Sequence, residues 1–224
     1  MTNITVVSIL TAPFLFAVTV GCLLLKRAFK LPKFIPEEFA LAIAWVFIVG
    51  SLVWLGVFLK GATLLGFGTP WTWLTAAHFA FAGYGALTVT ALCCRVVSNT
   101  KALKILRFLL VLHPVTYLIT AAGILGFRYC DELAATAYEF IFITQLVAVV
   151  FGQANRIARP PRLLLFFALA VSVLALVPPL FWAWGKPIFN ITEMVKYHGI
   201  VNAVGHVGLG LLAFIWARPQ PQLH

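Results

Sequence analysis

Apolar residues run almost unbroken through seven stretches of the chain, roughly 5–25, 38–59, 72–94, 103–126, 132–152, 163–184 and 192–216. Each run is about 20 residues long, the length an α-helix needs to cross the hydrocarbon core of a bilayer. Strands of a membrane barrel would alternate apolar and polar positions, and these runs do not alternate. Lipid offers no hydrogen bonds to a backbone, so only helices or closed barrels cross it. The pattern therefore predicts an all-α fold, a bundle of seven transmembrane helices forming a single integral membrane domain over 1–224. Pro178 and Pro179 fall inside the sixth run and are expected to break or kink that helix.

Composition agrees with the pattern. Of 224 residues, 62% are hydrophobic and only 10% are charged, far below the quarter or so usual in soluble domains. The net charge of +10 first raises the question of a nucleic-acid partner. The basic residues answer it by their placement: Lys26, Arg27, Lys30 and Lys33 follow the first run, Arg95, Lys101 and Lys104 the third, Arg156, Arg159 and Arg162 the fifth, and Arg218 the seventh. The alternate loops hold only Lys60, Arg128 and Lys186. Positive loops mark the cytosolic side, so the N-terminus is expected outside and the C-terminus in the cytosol, with the lipid bilayer and no nucleic acid as partner. The first run lacks a basic stretch before it and has Lys26 and Arg27 after it, which suits a retained helix rather than a cleaved signal. Trp71, Trp73, Trp182 and Trp184 sit near the outer ends, where interfacial aromatics belong. Cys22, Cys93, Cys94 and Cys130 show no metal or redox spacing and read as small apolar filler.

Against this apolar background, ionisable positions inside the runs stand out, because charge in a membrane is costly and is functional by default. The third, fifth and seventh runs all enter from the outer side. Counting seven residues inward from Trp71, Glu132 and Ile191 reaches His78, Glu139 and His198, each roughly 10 Å below its helix start at 1.5 Å per residue. Three such groups on three helices share one expected depth. In the seventh run His198, Asn202 and His206 recur every four residues and share a helix face, with Gly199, Ala203 and Gly205 small enough for close approach. Glu193 falls near the outer surface, either in the mouth of a cavity or at a helix start, where an acid complements the dipole. His113, just before Pro114, and His206 read as interhelical hydrogen-bonders. Glu37 and Glu38 read as acids at the start of the second helix.

The polar layer points to acid–base chemistry on a lipophilic substrate such as an isoprenoid- or polyketide-like molecule: cyclisation, isomerisation or epoxide opening. Glu139 or Glu193 would be the acid, His78 or His198 the base, and Asn202 an orienting hydrogen-bond donor. No cofactor is called for. A metal variant would use His78, Glu139, His198 and His206, residue types that suit zinc or iron, yet the spacing lacks a metal-binding signature. The alternative is a small-molecule transporter or accessory membrane protein with a polar intramembrane pocket, although seven runs do not divide into inverted repeats.

Three stretches carry a family resemblance. WLTAAHFAFAGYG (73–85), preceded by LVWLGVFLKGATLLGFGT (52–69), TEMVKYHGIVNAVGHVGLGLLAF (192–214) and, more weakly, HPVTYLITAAGILG (113–126) together resemble the YndJ-like family of bacterial integral membrane proteins. The resemblance implies that His78, Glu193, His198 and Asn202 form the family's polar signature, and that the chain sits in a bacterial inner membrane. Two positions depart from the expected pattern: His206 stands where an apolar aromatic is expected, and Ala80 where a second histidine often follows the first. The second departure weakens the metal variant.

Overall fold

A computed structural model of the protein describes residues 3–222. Seven helices are long and apolar enough to cross a membrane, and no strand occurs among the described residues. They are α1 (Asn3–Lys30), α2 (Pro36–Leu59), α3 (Trp71–Val96), α4 (Thr100–Ile124), α5 (Cys130–Phe151), α6 (Arg159–Ala183) and α7 (Ile191–Ala217). This is the seven-helix architecture that the apolar runs predict.

The boundaries move outward for local reasons. The side chain of Asn99 accepts from the amides of Lys101 and Ala102, so α4 starts at Thr100 instead of 103; an N-cap of this kind satisfies amides the first turn cannot bond internally. Arg159 opens α6 with Pro160 and Pro161 in its first turn, where a missing amide proton costs nothing. The helix α1 runs on to Lys30, placing its basic residues on the last turn, where they complement the dipole. The expected break at Pro178–Pro179 is absent: α6 continues as one helix to Ala183.

The chain divides into two compact units, 1–88 and 89–224. In the first, α1 packs on α2 and α2 on the leading part of α3. The α2–α3 approach is close, because a Cβ at Gly83 would overlap the ring of Phe47. In the second unit α4, α5, α6 and α7 pack in sequential pairs. Its interior is apolar apart from a few placed polar groups. Gln145 is fully buried, accepting from Thr90 Oγ1 at 3.3 Å and donating to Cys93 Sγ at 3.5 Å. Large apolar side chains such as Phe108, Leu118, Phe151, Leu174 and Ile215 are exposed, as a lipid-facing surface requires.

Two of the seven helices are not α-helical throughout. Phe79–Gly85 in α3 is π-helical, as are Val195–Ile200 and Asn202–Gly208 in α7. The π-helix is rare and recurs at functional sites. Here it coincides with the two segments that the sequence marks as polar: His78 directly precedes the first π stretch, and His198, Asn202 and His206 lie within the other two.

Candidate functional site

The second unit holds Glu139, Glu193, His198 and Asn202, and the first holds His78. Of these the structure joins His198 to Asn202. His198 is half-buried on the N-terminal part of α7, and its Nδ1 lies 2.9 Å from the carbonyl oxygen of Ala175 on α6. A carbonyl only accepts, so in the neutral ring Nδ1 carries the proton and Nε2 keeps the basic lone pair. Asn202 Nδ2 is placed 3.2 Å from the same Nδ1, which would set two donors face to face. An Asn amide turned by half a revolution exchanges its ends. Turning it brings Oδ1, otherwise buried and without a partner, beside the Nδ1–H. The Nδ2 group then takes the buried place of Oδ1.

His78 has the same arrangement on its own helix. Its Nδ1 lies 2.9 Å from the carbonyl oxygen of Leu74, one turn earlier, so here too Nδ1 is the donor and Nε2 the basic nitrogen. Its side chain is exposed on the surface of α3. Nearby in the first unit is an open apolar groove of about 390 Å³, lined by Leu55, Phe58, Trp73, Ala76, Ala77 and Ala80 together with Ser51. The one hydroxyl in the lining is spent within the protein, because Ser51 donates to the carbonyl of Ala76 at 2.8 Å.

The two carboxylates differ in their settings. Glu193 closes a capping box at the start of α7: its Oε2 accepts from the amide of Asn190 at 2.9 Å, and Asn190 Oδ1 accepts from the amide of Glu193 at 3.0 Å. That is the helix-start reading of this residue. Glu139, on α5, is partly buried, and its Oε2 is shielded with no hydrogen-bond partner. Among the described residues no set of three or more His, Cys, Asp or Glu side chains is grouped to hold a metal ion.

A cluster that sequence reasoning passed over lies deeper in the second unit. His113 and His206 are fully buried. Both meet Phe142 edge-on, His206 at 4.9 Å and His113 at 6.0 Å between ring centres, while Tyr138 stacks on Phe142 and also abuts His113 at 5.3 Å. The expectation that His206 is an interhelical hydrogen-bonder is corrected here, since its Nε2 is buried without a partner. Its contact is with a ring face, the contact an aromatic at this position would make. The central position of His113 in α4, beside Pro114, was the available signal. The partners on α5 and α7 are remote in sequence and left none.

Fold and site together define a polytopic helical membrane protein in which His198, Asn202 and His206 lie in the π-helical part of one spanning helix. The family model described as YndJ-like protein matches residues 1–206, and the chain belongs to that family. Searches of curated proteins and of solved structures found no match.

Proposed function

We propose that the protein is a membrane-embedded enzyme that performs acid–base chemistry on a lipophilic substrate, with His198 as the base. The observation that carries this reading is the hydrogen bond from His198 Nδ1 to the Ala175 carbonyl. It holds the ring and leaves the basic nitrogen at Nε2, the arrangement that a positioned general base needs. Asn202 beside it, with its Oδ1 turned to the Nδ1–H, helps to hold the ring. Glu139 is the candidate acid, because its carboxyl is not committed to a cap as that of Glu193 is. The apolar character of the membrane-spanning helices around these groups favours an isoprenoid- or polyketide-like molecule over a sugar or nucleotide. Cyclisation, isomerisation or epoxide opening are the reactions that such a pair of groups performs without a cofactor. In this reading the protein lies in a bacterial inner membrane with its basic loops in the cytosol.

The test is a comparison of lipid extracts from membranes carrying the wild-type protein, Glu139→Gln or His198→Ala, analysed by mass spectrometry. A lipophilic species that changes with the wild-type protein and is lost in both variants supports the reading. Unchanged conversion in both variants removes it.

A further inference from the structure

Helix α6 carries Pro178 and Pro179 well inside its length. In an α-helix the amide of residue i donates to the carbonyl of residue i−4. Proline has no amide proton. Pro179 therefore leaves one particular carbonyl without its donor, that of Ala175, and Pro178 does the same to Leu174. The two orphans meet different surroundings. Leu174 is exposed on the lipid-facing side, whereas Ala175 is buried. An unpaired carbonyl in such a place is destabilising. The donor that reaches the Ala175 oxygen is His198 Nδ1, at 2.9 Å.

The approach is prepared by the neighbouring contact. One turn before Ala175, Val171 faces Gly205 of α7, where a Cβ would come within 2.6 Å of its Cγ1. A side chain at 205 would hold the two helices apart. The glycine draws the π-helical part of α7 against α6 and so brings the ring of His198 to the carbonyl.

We infer that Pro179 is a positioning residue that fixes the tautomer of His198: by depriving the Ala175 carbonyl of its backbone donor, it creates an acceptor that only the Nδ1–H form of the imidazole satisfies. The same ring in its Nε2–H form would set the Nδ1 lone pair against the carbonyl lone pairs. The proline thus decides which nitrogen is basic. The consequence for catalysis, that His198 removes a proton at Nε2, rests on the enzymatic reading above. The tautomer itself does not, and it is measured without substrate.

The experiment is ¹⁵N NMR of histidine-labelled protein in lipid nanodiscs at neutral pH, with His198 assigned by loss of its signals in His198→Gln. The wild type is expected to show a protonated Nδ1 and an unprotonated Nε2. Pro179→Ala restores an amide proton for Ala175 and is expected to convert the single form into a mixture of both tautomers. Pro178→Ala, which supplies an amide only to the carbonyl of the exposed residue Leu174, is expected to leave the His198 signals in place. An Nε2–H signal in the wild type overturns the inference. So does a Pro179→Ala spectrum identical to the wild type, or an equal change in Pro178→Ala, which would point to general loosening of α6. Should Pro179→Ala fail to fold, a dipolar contact between ¹³C-carbonyl alanine and ¹⁵Nδ1 of His198 in the wild type decides, and its absence overturns the proposal.

Discussion

The side-chain amide of Gln222 donates to the backbone carbonyl of Cys94 at 2.7 Å and to that of Val97 at 2.9 Å. The C-terminal tail therefore supplies donors at the end of α3, where the last carbonyls have no amide of their own helix to accept from. Gln222 is buried where it caps the helix. Replacing Gln222 by Ala is expected to lower stability by about 1–2 kcal/mol, the cost of leaving buried acceptors unpaired. In a thermal melt in detergent this corresponds to a drop of roughly 2–8 °C for a chain of this size. An unchanged midpoint would mean that water reaches these carbonyls.

Gly205 and Gly199 make a matched pair. A methyl at 205 would meet Val171, while at 199 the nearest atom is the carbonyl oxygen of Met194 at 4.0 Å. Gly205→Ala is expected to destabilise by about 1–3 kcal/mol, as overpacking does. Gly199→Ala should be close to neutral or slightly stabilising, since alanine is the better helix former. Val171→Ala combined with Gly205→Ala should recover part of the loss, and additivity of the two changes would show that they do not touch.

His206 offers a substitution that improves the fold. Its Nε2 is buried and unpaired, and its ring packs edge-on against Phe142. His206→Phe keeps the aromatic contact and removes the unpaired nitrogen, so a gain of about 1 kcal/mol is expected. A loss of stability in the same melt would instead show that His206 has a bonded partner in the native protein.

For Glu193 the prediction separates two roles. Gln at the third helical position still serves a capping box, so Glu193→Gln should leave stability nearly unchanged, while Glu193→Ala should cost about 0.5–1 kcal/mol. If Glu193→Gln abolishes conversion of a lipophilic substrate while the protein remains as stable as wild type, the residue acts as an acid and not solely as a cap.

The seven helices were legible because the bilayer imposes one length and one polarity on each of them. Their ends were less so, since Asn99 and the Pro160–Pro161 pair extend two helices into segments that read as loop. Within the site, His198 and Asn202 were legible from their spacing, which survives in the structure as a direct contact. The Ala175 carbonyl was not, because a backbone oxygen has no letter in the sequence and its availability depends on a proline four residues later in the same helix. His113, Phe142 and His206 lie on three different helices, and single-chain spacing carries no information on such meetings.

The π-helical stretches of α7 tie the spacing of its histidines to the length of the helix. A π turn closes its hydrogen-bonded ring over one residue more than an α turn. An inserted codon in a helix of this kind is absorbed as a wider turn, with both helix ends left in place. Conversely, deleting one residue between His198 and His206 would return that part to α register and swing one histidine relative to the other by about 100°, the rotation a single residue makes in an α-helix. The relative orientation of these histidines is thus as sensitive to one inserted or deleted residue as to a change of chemistry.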